Sequence, residues 1–244
     1  MLAGPNASPR LMRSALYTSI IALGIAAEID IDRTPEDKAL FEAEKTKLQA
    51  CATELDTAIN ALDTYKTFER RRLQKRVEFG DVILDNGTRA ANTRTKLALK
   101  GKPGLGASHA FGKRIEDLLE KPVVMQPSKV LDAVEKLNDV ADFPEKSAIQ
   151  QDLTLRANQQ IQMVDERELG MAIGTKLSAD VVAAVMKGAL ALAQTKGALD
   201  IRFPRQRKYV ATFFLDVAPE RKTKAQDDSD DEDEPEGGGS SENG

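Results

Sequence analysis

From Phe41 onward one apolar side chain recurs at every seventh position: Phe41, Leu48, Leu55 and Leu62, with Ala52 and Ile59 filling the alternate seam. This spacing keeps a single narrow face of a helix apolar, whereas a strand would scatter the same residues over both of its faces. The chain is therefore expected to form a long helix here. Thr34-Pro35-Glu36-Asp37 supplies its start: a hydroxyl to cap free amides, a proline at the first position, and acids against the positive helix end. Beyond Leu62 the stripe slips to Tyr65, Phe68, Leu73 and Val77, so the helix continues in a changed register. Asp85-Asn86-Gly87 reads as its break, placing the end near Leu84.

An apolar stripe of this length needs a partner. A first helix from about Pro9 to Ile29 offers one, since Leu16, Ile20, Leu23 and Ala27 recur at helical spacing, and a second subunit is the other choice. Further helices are expected over 108–120, from Ser128 to about Phe143, from Pro144 to about Ile173, and over 179–198 with Ser178 as cap. The last is apolar nearly all round, as a centrally buried helix would be. Aromatic residues make up only 5% of the chain and Trp is absent, a balance that favours helix packing over a β-sandwich. The expected fold class is all-α (mainly α). It comprises a long helical hairpin or coiled coil over 1–100, a smaller helical region over 105–217, and a disordered acidic Gly/Ser tail over 222–244. Tyr209–Val217 is the one segment that also suits a short strand.

Residue counts exclude much chemistry. His109 is the only histidine and Cys51 the only cysteine. A Ser-His-Asp triad needs its histidine to approach the serine from elsewhere in the fold, and His109 adjoins the one elbow-like serine, Ser108. Cys-His proteases, Cys/His zinc sites and di-iron bundles fail on the same counts. Gly104-Leu105-Gly106 begins a dinucleotide fingerprint, but His109 stands where the third glycine belongs. Gly106 to Gly112-Lys113 is one residue too long for a phosphate loop, and Arg114 replaces its Ser or Thr. Asp30-Ile31-Asp32 lacks the glycine and the final glutamate of a calcium loop, with Pro35 and Phe41 in their places. No cofactor or metal is expected, and no catalytic residue is assigned. Cys51 reads as a small packing residue, and Asp165-Glu166-Arg167-Glu168 as a solvated helix face.

Charge is the remaining signal. The net charge of −4 conceals segregation: nine acids and no base lie between Asp227 and Gly244, while residues 66–102 carry 11 basic and 4 acidic side chains. A second basic run includes Arg205, Arg207 and Lys208. The leading expectation is a structural or scaffolding protein that self-associates, or binds a protein partner, through Phe41, Leu48, Leu55, Ile59 and Leu62. The alternative is a nucleic-acid-associated accessory protein that neutralises phosphates with Arg70, Arg71, Arg72, Lys75 and Arg76, while the acidic tail competes for the same cations. Enzymatic activity is the less favoured class. No transmembrane span is expected, because the apolar run from Ala15 to Ala27 falls short of about 20 residues. A cytoplasmic location is expected, with a secretion signal over residues 1–26 as the alternative.

Overall fold

The computed structural model describes residues 2–29 and 34–215. The acidic tail, residues 216 and 217 of the strand candidate, and Asp30 to Arg33 lie outside them. Helix α1 spans Pro9–Glu28 and α2 spans Pro35–Thr64. A single π turn, Tyr65–Glu69, joins α2 without interruption to α3, Arg70–Ala98, giving one helical run of 64 residues. The short helices α4 (Ala107–Phe111), α5 (Glu116–Leu119) and α6 (Gln126–Lys136) follow. Helix α7, Lys146–Arg202, is 57 residues long and returns antiparallel to α2 and α3 along their whole length. Helix α8 is one turn, Arg207–Ala211. At 1.5 Å per residue the longer run extends over about 95 Å. The described chain is a rod, all helical and without strands.

Two apolar cores lie at opposite ends of this rod. In the first, Met12, Leu16 and Leu23 of α1 meet Phe41, Leu48 and Leu55 of α2 and Leu192 and Leu199 of α7, all 0–1% exposed. Phe41 stacks between Phe203 and Phe213, with ring centroids 5.9 and 5.5 Å away, and Tyr209 stands edge-on to both partners. These are the offset and edge geometries aromatic quadrupoles favour. The second core gathers Leu84 and Ala91 of α3, Phe111 of α4, Val130 of α6, then Leu137, Phe143, and Ile149, Leu153 and Ala157 of α7. Each core draws on residues from both sides of the 100–106 loop, because α7 serves both.

The seam at 41–62 is thus filled by α1 and α7 of the same chain. Phe41, Leu48 and Leu55 are fully buried, and Ile59 and Leu62 partly. Helix α1 and part of α7 are long and apolar enough to cross a membrane by length and composition alone, and each has its apolar residues partly packed inside this bundle.

Several expected boundaries are corrected by packing. Asn86-Gly87 does not break the helix: a Cβ on Gly87 would lie 2.7 Å from Cδ of Arg156, so the missing side chain admits α7 rather than a turn. The 108–120 helix is split at Gly112, whose φ of +81° only glycine adopts readily. Helix α6 begins at Gln126 and ends at Lys136, and Ser128 donates to the carbonyl of Met125 instead of capping. Ser178 sits inside α7 and donates to the carbonyl of Gly174 at 3.0 Å, so the two expected helices are one. The 179–198 segment is not buried all round, since Val182, Met186 and Leu190 face outward. Residues 207–211 are helix, because Tyr209 and Phe213, four apart, both reach the Phe41 stack.

The Thr34 cap forms as its sequence requires. Thr34 Oγ1 accepts from the Asp37 amide at 3.2 Å, and the Asp37 carboxylate accepts from the Thr34 amide at 3.0 Å. Arg202, the last residue of α7, donates Nε to Asp37 Oδ1 at 2.6 Å and Nη2 to Thr34 Oγ1 at 3.0 Å, tying the two helix ends together. The Arg202 guanidinium, with the Thr34 amide, holds the Asp37 carboxyl below its ordinary range. A depressed native value means that the contribution is complete above about pH 4 and is lost as pH falls through that value. Asp37→Asn is therefore expected to lower Tm at neutral pH and to flatten its decline between about pH 5 and 2, followed by circular dichroism. An acid limb identical to the parent's would sink the assignment.

Candidate nucleic-acid interface

Between the two cores the rod narrows to a waist of two helices, where the π turn faces the middle of α7. The register slip at Tyr65 is accommodated by this turn: the Arg70 amide reaches back five residues to the Tyr65 carbonyl. The extra residue turns Tyr65 inward, where it is 8% exposed and donates its hydroxyl to the carbonyl of Gly170 at 2.5 Å. A Cβ on Gly174 would lie 2.4 Å from the Tyr65 ring, and one on Gly170 would lie 2.3 Å from Leu73. The two glycines let α7 approach the ring closely enough to hold it. Farther along, Gln160 donates to the carbonyl of Val77 at 3.1 Å and lies over Gly80, fixing the same register.

With Tyr65 turned in, the side chains on either side of it fan outward. Lys66, Arg70, Arg71 and Lys75, with Gln74, Leu73 and Tyr65, face Arg167 and Met171 of α7 across an open cleft of about 660 Å³. A smaller hollow of about 250 Å³ continues it between Lys66 and Arg70 on one side and Gly174 to Ser178 on the other. Among the described residues, Lys66, Arg70, Arg71 and Arg167 form no ion pair, and Arg167 Nε is shielded without a hydrogen-bond partner. Their neighbours are paired: Arg72 with Glu69 at 2.9 Å, Lys75 with Glu78 at 2.5 Å, and Arg76 with Glu166. The Lys75 ammonium and Gln74 hold the Glu78 carboxyl below its ordinary range. Four unneutralised cations around one concave surface make a positive potential that an anion can relieve.

The expected phosphate-binding set therefore divides. Arg70, Arg71 and Lys75 line the cleft, while Arg72 and Arg76 lie outside it in surface ion pairs. Lys66 and Arg167 join them. Arg167 was hidden inside a run read as a solvated face, and Gly170-x-x-x-Gly174 was the available sign that this stretch packs closely. The rest of the basic sequence is dispersed. Arg89 pairs with Glu116 at 3.3 Å, Arg94 approaches Glu145 at 3.9 Å, and Lys102 donates to the carbonyl of Asp142. Arg205, Arg207 and Lys208 sit beyond the end of α7, about 50 Å from Arg167 by helical rise.

Elsewhere the described residues bring together no group of three His, Cys, Asp or Glu suited to a metal. His109 is exposed on α4 and meets Asp139 at 3.3 Å, with Ser108 exposed beside it. Cys51 is buried in the first core, and burial pushes its thiol up. None of the protein-family models, curated proteins or solved structures compared with the chain matches it.

The cleft's cations and its foundation are separable. Replacing Lys66, Arg70 and Arg71 with Gln removes charges that are exposed and unpaired, and is expected to shift Tm by less than about 2 °C. Gly174→Val forces a side chain into the Tyr65 ring and is expected to lower Tm by roughly 3–10 °C. A thermal melt in which the triple variant is the more damaged would show that the cations hold the waist together.

Proposed function

We propose that this chain is a nucleic-acid-associated accessory protein that grips phosphates in the basic cleft at the waist of a helical rod. The observation that carries the reading is the convergence of Lys66, Arg70, Arg71 and Arg167 with no carboxylate among them, in a structure that pairs most neighbouring cations. Like charges held together on a stiff surface repel one another, and folding gains nothing from them. Phosphate contacts convert that repulsion into affinity by releasing counterions. The nine acids after Gln226 would compete for the same cations.

The test is fluorescence anisotropy of labelled DNA against salt. Four phosphate contacts give a slope of log K on log salt of roughly −3 to −4. The Lys66, Arg70 and Arg71 to Gln variant is expected to lose most of that slope, and truncation after Gln226 to tighten binding at low salt. Binding that ignored salt and all three substitutions would remove the proposal.

A second reading, self-association as a scaffold, is favoured by one observation. Val182, Met186 and Leu190 form an exposed apolar stripe on α7, each more than half exposed. Since Phe41, Leu48 and Leu55 are occupied within the chain, a partner would use this stripe instead of the heptad seam. Light scattering is then expected to give a multiple of 26.6 kDa that falls to the monomer in Met186→Glu. A parent protein already monomeric at high concentration would dismiss it.

A further inference from the structure

Phe68 and Phe79 are placed where core packing has no use for them. They are 67% and 68% exposed, although Phe68 continues the apolar stripe in sequence. For Phe68 the π turn is the cause. Having rotated Tyr65 onto Gly170 and Gly174, it leaves Phe68, three residues on, turned away from α7 and facing solvent. Arg72, Lys75 and Phe79, at spacings of three and four, share one face of α3, and Phe68 stands in the π turn that leads into it. The outer face of the waist therefore reads aromatic, cation, cation, aromatic, with the two rings about 16 Å apart along the helix axis. Lys75 of this face also lines the basic cleft, beside Arg71, so the face and the cleft are continuous.

An exposed aromatic ring in this setting has two physical uses. It can pack against another protein's apolar surface, or it can offer a flat platform to a nucleic-acid base. The surroundings decide between them. Lys75, Glu69 and Glu78 stand between or beside the rings with Arg71 and Arg72, and the centres of ordinary protein interfaces, although rich in aromatic residues and arginine, are depleted in lysine and glutamate. Bases of duplex DNA are stacked on one another and present no free face, whereas bases of a single strand do. The nearby carboxylates do not close the surface. Glu69 and Glu78 sit in exposed ion pairs between residues three apart, the kind worth little in water, and their cations can turn to a phosphate instead.

We infer that the ligand of this site is single-stranded nucleic acid, lying along α3 with bases stacked on Phe68 and Phe79 and its phosphates held by Arg71, Arg72, Lys75 and the cleft cations. This rests on the phosphate-binding reading above and names its substrate class. Phe68 and Phe79 supply stacking that does not depend on base sequence. Arg71 and Lys75 carry the backbone from the outer face into the cleft.

The experiment compares three probes by anisotropy or competition at low salt: oligothymidylate, a blunt duplex, and inorganic polyphosphate, which has charge but no bases. The parent protein is expected to prefer oligothymidylate to the duplex. Phe68→Ala with Phe79→Ala is expected to weaken oligothymidylate binding about tenfold or more and to leave polyphosphate binding unchanged. Phe79→Trp supplies a direct signal, because the chain contains no other Trp. Its emission is expected to be quenched by oligothymidylate and not by polyphosphate. Equal losses for both probes, or no quenching under saturating oligothymidylate, would overturn the stacking inference while leaving phosphate binding standing. Failure of all three probes to bind would instead sink the reading on which it rests. If the double alanine variant changed only the mass seen by light scattering, the rings would belong to a protein contact and the inference would be wrong.

Discussion

The pairing of α7 with the unbroken run of α2 and α3 carries the rest of the architecture. Neither end core exists without it, because each is a set of short or medium helices laid onto the same two long ones. Long helices in contact are held in register by the places where backbones come close, and here those places are glycines. Gly170 and Gly174 of α7 receive Leu73 and Tyr65, while Gly80 and Gly87 of α3 receive Gln160 and Arg156. A shift by one residue would bring a side chain into each of these gaps at once. The register is thus fixed by exclusion along the waist as much as by apolar burial at the ends.

The waist owes its chemistry to the same economy of contacts. With only two helices present, most of the surface of each faces water, and few positions between Leu62 and Gly80 have to be apolar. Lys66, Arg70, Arg71 and Lys75 stay exposed there, whereas desolvation would forbid such charges in either core. The π turn adds an asymmetry that a regular helix would lack. It directs one aromatic residue, Tyr65, into the contact and the next, Phe68, out of it. An exposed surface of cations and aromatic rings results from a local fault in helical geometry, with the fault held in place by a hydrogen bond to Gly170.

The sequence shows some of this plainly. Periodicity revealed the stripe from Phe41 to Leu62, and the cap at Thr34 was legible because side-chain and backbone chemistry there is local. The change of register after Leu62 was visible too, but not its consequence: a slip says that the face rotates, and only the position of α7 says which aromatic residue turns inward. Where expectation failed, a glycine or serine had two uses. Gly87 and Ser178 belong to turns and caps as often as to helices, and in this chain each lies inside a helix, Gly87 pressed by Arg156 and Ser178 bonded to the preceding turn. Arg167 was illegible for another reason. Its place in the cleft comes from α7 crossing the π turn almost a hundred residues away in sequence, and no local pattern records that.

A stiff two-helix waist also bears on how a ligand would be held. The cations of the cleft stand on three consecutive turns of one helix and on its partner, so their spacing is set by helical rise and not by flexible loops. Their backbone positions are fixed by the glycine contacts before anything binds, and the ordering cost on binding is confined to side chains. Repulsion among Lys66, Arg70, Arg71 and Arg167 costs the free protein some stability, and that cost is tolerable only because the end cores are independent of it. Leu55 and Leu84, the nearest fully buried leucines of the two cores, lie on either side of the charged stretch and belong to separate apolar clusters. Separating the apolar work to the ends leaves the middle free to be shaped by charge.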